Sequence, residues 1–164
     1  MKEVLLIFLT YFITSAAFGQ TFTIKDFESF LKMNQDDFET AIMKKKFVFA
    51  ETAEDEYDCH CITYEYAYGR NANNSSASKF ISLYVFKSGK RGVGYQTLDQ
   101  SEYVKLKNSL KLSGYILDRN VRSEDGTTIY YFYKKGKTNL TINTSVTKSD
   151  SEIINTYFLT FDNK

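Results

Sequence analysis

The stretch Asp99 to Tyr115, DQSEYVKLKNSLKLSGY, decides the fold. Asp99 and Glu102 stand three apart, the spacing of a capping box, and Asp99 can accept an orphan N–H of a helix start. Tyr103, Leu106 and Leu110 then recur three and four residues apart, which is one helix face. Lys105, Lys107 and Lys111 fall elsewhere on the wheel and stay in water. Gly114 supplies the left-handed residue that ends a helix, and Tyr115 opens an aromatic strand. An earlier stretch, Asn34 to Phe47, NQDDFETAIMKKKF, follows the same plan. Asn34 is its N-cap, and Asp36 and Asp37 suit the positive end of the helix dipole. Phe38, Ile42 and Phe47 stand where Leu106, Leu110 and Tyr115 stand later.

The segments around these two helices also correspond. Ahead of the first, Thr23 to Leu31 carries Phe27, Phe30 and Leu31 at helical spacing, which predicts a helix–loop–helix from about Lys25 to Lys45. The lysines 44–46 match the negative end of that dipole. A short strand follows from Phe47 to Glu51. The acidic run Glu51, Glu54, Asp55, Glu56 and Asp58 reads as a solvated turn, because it lacks the ordered spacing of a calcium loop. Tyr57 to Tyr68, YDCHCITYEYAY, alternates as a strand. Ile62, Tyr64, Tyr66 and Tyr68 take one face; Cys59, Cys61, Thr63 and Glu65 take the other. Gly69 to Ser78 is a polar loop with glycosylation sequons at Asn73 and Asn74. Lys79 to Lys87 is a strand, Ser88-Gly89-Lys90 a turn, and Arg91 to Leu98 a returning strand that Gly92 and Gly94 weaken or bulge.

After the central helix, Tyr115 to Asn120 is a strand and Asp125-Gly126 a hairpin signal. Thr127 to Lys134 is a strand, and Lys135-Gly136-Lys137 turns. Thr138 to Val146 sets Leu140, Ile142, Thr144 and Val146 against Asn139, Thr141, Asn143 and Ser145, with further sequons at Asn139 and Asn143. Lys148 to Ser151 turns, and Glu152 to Asp162 is the last strand. Strands joined by short turns are antiparallel neighbours. The expected fold is therefore α+β: an antiparallel β-sheet built from two tandem helix-plus-four-strand units, with the helices packed on one face. The units run 20–98 and 99–164 and share one continuous domain.

The N-terminus gives an address. Met1 and Lys2 precede an uncharged run from Val4 to Ile13, and Ala17-Phe18-Gly19 offers small residues at the positions a signal peptidase reads. Residues 1–19 are expected to be a signal peptide, with a mature chain from Gln20 that is secreted or periplasmic. The run is short for a membrane span, and no second one follows. With 21 basic and 20 acidic residues the charge is balanced, which argues against a nucleic-acid partner.

This element order and size resemble the beta-lactamase inhibitor protein and its structural relatives, which include small bacterial envelope proteins. The resemblance covers most of the mature chain and rests on no diagnostic motif. It implies a secreted protein-binding module that presents an aromatic, often concave sheet face. Family members carry a disulfide in each repeat, whereas this chain places its two cysteines in one strand.

No catalytic or cofactor motif stands out, so the chain reads as a non-catalytic module without cofactor. Cys59-His60-Cys61 is the one chemical cluster. Two thiolates can hold Cu(I), but in a regular strand His60 points to the opposite face, and a four-ligand zinc site is not available. A disulfide between residues i and i+2 needs a bulge, since extended Cα atoms lie near the ~7 Å limit. The plain reading is two small, partly buried thiols. Cys59 and Cys61 are therefore only weak metal candidates. The tyrosines carry the main expectation. Tyr64, Tyr66 and Tyr68, with Tyr131 and Tyr133, form stripes of a kind enriched at binding surfaces. Opposite the later pair run Tyr130 and Phe132, and the sheet face that the helices cover decides which set is outside. The leading expectation is capture of a protein partner on an aromatic sheet face. The alternatives are a carrier with an apolar cavity between sheet and helices, and a copper or redox protein using the Cys-His-Cys strand.

Overall fold

The computed structural model describes residues 21–55, 59–69, 77–148 and 153–163. Its helices are α1 (Ile24–Phe30), α2 (Gln35–Lys44) and α3 (Gln100–Leu112). Its strands are β1 (Val48–Asp55), β2 (Cys61–Tyr68), β3 (Lys79–Phe86), β4 (Arg91–Thr97), β5 (Ile116–Arg122), β6 (Thr128–Lys135), β7 (Thr138–Lys148) and β8 (Ile153–Asn163). The fold is α+β, and the sheet dominates it. All eight strands form one antiparallel sheet in the order β1-β2-β3-β4-β8-β7-β6-β5. Each half is a four-strand meander, and the two last strands, β4 and β8, pair to make the central seam.

Local chemistry starts each helix. Thr23 and Asp26 form a reciprocal capping box at α1. Asn34 accepts the Asp37 N–H at 2.8 Å to cap α2. Asp99 Oδ1 accepts the N–H groups of Ser101 and Glu102 at 2.8 and 3.1 Å. Those backbone donors, Glu102's first, hold the Asp99 carboxyl below its ordinary pKa. The reciprocal half of that box is not made. The Glu102 side chain turns inward instead, and the Asp99 N–H donates to Thr97 Oγ1. Gly114 ends α3 at φ +84°.

The three described helices lie on one side of the sheet. Phe27 of α1 stacks on Phe161 of β8 at 4.7 Å and meets Tyr95 of β4 at 5.5 Å, so α1 crosses the seam. Phe38 of α2 packs on Tyr66 of β2, and Tyr103 of α3 stacks on Tyr157 of β8. Ile81, Leu83, Val93, Leu140, Ile142 and Leu159 complete the buried face. Polar ties lock the layers: Lys135 to Glu28 at 2.7 Å, and the Arg91 guanidinium to the Met33 carbonyl. Glu102, 1% exposed, takes Lys79 at 2.8 Å, the Tyr95 hydroxyl at 3.0 Å and Thr97 at 3.2 Å on Oε2.

Two strand readings need correction. The acidic run is not all turn, because β1 continues through Asp55, pairing Glu51 with Glu65 and Asp55 with Cys61. An exposed edge strand tolerates charges on both sides, and they discourage edge-to-edge association. Residues 56–58, 70–76 and 149–152, including Asn73 and Asn74, lie outside the described residues, as does the expected signal peptide. Nor do the glycines of β4 bulge it, for β4 keeps regular register with both β3 and β8. No helix among the described residues is long and apolar enough to cross a membrane.

Candidate functional site

The register of the sheet sorts every strand residue to one side. Leu140 pairs with Tyr133 and Ile142 with Tyr131, so the aliphatic stripe of β7 carries these tyrosines to the helix side. Tyr66 pairs with Ile81 and Tyr64 with Leu83, to the same effect. The five expected interface tyrosines thus share one face, and it is the covered one. Tyr66 is fully buried, and burial followed by the nearby Glu39 charge pushes its hydroxyl pKa up to about 12. Tyr64, Tyr68, Tyr131 and Tyr133 are partly buried against the same core. Lys107 of α3 lies 3.8 Å from the Tyr131 ring centroid, which occupies that ring's outward surface.

Among the described residues the opposite face carries no helix. From β2 towards β5 it presents Thr63 and Glu65, then Phe80, Ser82, Tyr84 and Phe86, then Gly92, Gly94 and Gln96. Beyond the seam come Phe158, Thr160 and Asp162, then Asn139, Thr141 and Asn143, then Tyr130, Phe132 and Lys134. The aromatic rings here are half-buried.

Gly92 and Gly94 shape this face. A Cβ at Gly94 would lie 2.7 Å from Tyr84 Oη and 3.0 Å from Phe158 Cζ. A Cβ at Gly92 would lie 3.3 Å from the Tyr84 ring and 3.4 Å from the Phe86 ring. The missing side chains let Tyr84, Phe86 and Phe158 lie down over the central strand. Such rings present broad area with little rotamer freedom left to lose. Beside them is an open recess of about 470 Å³ lined by Tyr84, Phe86, Lys90, Thr160 and Asp162.

Polar pairs hold the rest of the face in place. Asn139 Nδ2 donates to Asp162 at 2.9 Å, and Lys134 pairs with Asp118 at 2.9 Å. The Arg119 guanidinium covers Phe132 at 4.6 Å. Ser82 reaches Glu65 at 3.5 Å. Burial, then the charge of Glu51, raises the Glu65 carboxyl pKa against the Ser82 hydrogen bond. Burial also raises the Tyr84 hydroxyl; Ser82 opposes this and Glu65 adds to it.

No family model, curated protein or solved structure matches this chain. The geometry therefore stands alone. It offers a broad amphipathic platform with both charge signs at its rim. Among the described residues no group of three or more His, Cys, Asp and Glu side chains is placed to hold a metal ion.

The cysteines differ from the free-thiol expectation. Cys59 and Cys61 are joined as a disulfide. Cys59 precedes β2 rather than lying in it, and His60 sits at φ +49°, which supplies the required kink and draws the Cα atoms to 5.2 Å. In this form neither sulfur is a thiolate ligand. The space between helices and sheet is filled by Phe22, Phe27, Phe30, Phe38 and their neighbours. On the helix side an open groove of about 620 Å³ runs between α3 and β5, lined by Leu110, Tyr115, Ile116, Leu117 and Tyr133 with Lys107 and Lys111.

Proposed function

We propose that the protein is a secreted, non-catalytic module that captures a protein partner on its open sheet face. The observation that carries the reading is the trio Tyr84, Phe86 and Phe158 laid over Gly92 and Gly94, on the sheet face that the described helices leave open. Phe132 and Tyr130 extend it beyond the seam. Aromatic anchors in a mixed polar surround are the composition of protein-binding surfaces, whose standard footprint is about 800 Å² a side. The expectation from sequence is kept in kind and moved to the other face. The tandem helix-plus-strands order supports an architecture like that of the beta-lactamase inhibitor protein. Secretion is supported by the N-terminal apolar run and by a disulfide, which persists in oxidising compartments.

The test is capture from the host's own secreted and envelope proteins, with wild-type protein beside a Tyr84→Ala/Phe132→Ala/Phe158→Ala variant. Wild type is expected to retain a stoichiometric partner and the variant to lose it, with both folded alike. A partner retained by both removes the reading.

A second reading has its own observation. The α3–β5 groove is apolar at its floor and lined by Lys107 and Lys111, which suits an amphiphile with an anionic head group. A fatty acid that protects Leu117 and Tyr133 from solvent would favour it over the open face.

A further inference from the structure

The Cys59–Cys61 disulfide cross-links nothing distant. It spans a single residue and closes an 11-atom ring by covalent geometry, whereas a structural staple closes a long loop. A loop this short removes little freedom from the unfolded chain, so the bond contributes little to the fold. The oxidised form also imposes a cost. It holds His60, which is not glycine, in the left-handed region at φ +49°. Reduction lets that residue relax. The sulfurs are unequal as well. Cys59 is half-exposed, while Cys61 is 1% exposed at the head of β2, its sulfur 3.9 Å from Thr63 Oγ1. The only histidine in the chain, exposed, stands between them.

We propose that Cys59 and Cys61 form an exchangeable redox site that accepts electrons from a dithiol, a pair of cysteines in a peptide or protein, entering at Cys59. The substrate thiolate attacks Cys59 Sγ. A substrate–Cys59 disulfide forms, the Cys59–Cys61 bond breaks, and the electron pair leaves on Cys61. Cys61 then takes from solvent the proton that the substrate thiol gave up, with the Thr63 hydroxyl in reach of its sulfur. The second substrate thiolate attacks the substrate sulfur of the mixed disulfide and releases Cys59, which is protonated in turn. The substrate loses two electrons and two protons to become a disulfide, and the protein gains both. Cys61 pairs with Phe86, so the site borders the open-face aromatics, but its redox titration needs no captured partner and either reading can fail alone.

The test equilibrates purified oxidised protein with mixtures of reduced and oxidised glutathione. Free thiols are then alkylated and counted by mass, while circular dichroism follows the fold. The expected result is full reduction of the pair without loss of the fold, at thiol ratios that leave long-loop structural disulfides oxidised. His60→Gly should require about fivefold more reducing conditions, the steric relief of a left-handed glycine less the freedom it gains when open. His60→Val should shift the balance the other way. Cys61→Ser should trap glutathione on Cys59, and Cys59→Ser should leave Cys61 slow to react. Reduction only on unfolding, no shift with His60→Gly, or equal trapping in the two serine variants overturns the proposal.

Discussion

Glu102→Gln should cost about 3 kcal/mol of stability, the low end of the range for breaking a buried pair from one side. The worth of this residue follows from what it faces. A single oxygen, Oε2, takes Lys79 at 2.8 Å, Tyr95 at 3.0 Å and Thr97 at 3.2 Å. Both charged side chains are nearly out of water, at 10% exposure for Lys79 and 1% for Glu102. The amide keeps the shape and can still accept from the hydroxyls, but the Lys79 ammonium loses its counter-charge. Its remaining neighbours, the Tyr68 ring at 5.8 Å and the charge of the exposed Asp99 carboxylate, compensate only weakly. Glu102→Leu also strands two hydroxyls and should cost about 5 kcal/mol at ~1 kcal/mol for each lost bond. Lys79→Met combined with Glu102→Leu should recover more than about 2 kcal/mol of that loss, because no buried charge is then unpaired. Urea unfolding at pH 7 measures each value against a total of about 5–15 kcal/mol for a domain. A Glu102→Gln cost below about 1 kcal/mol, or no coupling in the cycle, would mean Lys79 finds water and the inward turn of Glu102 holds nothing.

The glycines of the open face should separate cleanly. Gly94→Ala must push the Tyr84 and Phe158 rings outward and should cost about 1 kcal/mol, whereas Gly92→Ala, at 3.3 Å contacts, should be near neutral because alanine stiffens the unfolded strand. Tyrosine fluorescence quenching should report the displaced Tyr84 ring in the first variant only. Glu65→Gln should stabilise slightly at pH 7, by less than about 1 kcal/mol because the site is half-open to water. The sign follows from the raised pKa: the folded state holds that proton more tightly, so the cost of ionising Glu65 appears as pH rises above the ordinary 4.5 and through the folded value. Unfolding midpoints at pH 3.5 should therefore show no gain from the substitution, and a gain that persists there would refute the burial explanation.

Periodicity carried most of the architecture. Tyr103, Leu106 and Leu110 are buried as their spacing requires. Leu140 and Ile142 face in while Asn139 and Asn143 face out. What alternation alone does not give is the side the helices take, because that choice is tertiary. One signal for it was present in the hairpin at Gly136-Lys137. Its short turn sets Leu140 opposite Tyr133 and Ile142 opposite Tyr131, and an aliphatic stripe that must be buried takes its tyrosine partners with it. By the same register Phe132 falls beside Thr141 and Tyr130 beside Asn143, on the open side. Gly92 and Gly94 read as strand weakeners because the rings that need their space, Tyr84 and Phe158, come from two other strands. Glu102 reads as a cap residue, since nothing local reveals that Lys79, twenty-three positions earlier, is buried next to it. The disulfide depends on one backbone angle at His60, which no side-chain pattern encodes.

The proposed interface is the open sheet face. Hydroxyl-radical footprinting of the protein alone and with its captured partner measures this at every side chain. Tyr84, Phe86, Phe158, Tyr130 and Phe132 should be protected, with Ile116, Leu117 and Lys107 unchanged. Protection confined to Ile116, Leu117 and Lys107, with the open-face rings still reactive, would rule out the open face and place binding in the α3–β5 groove.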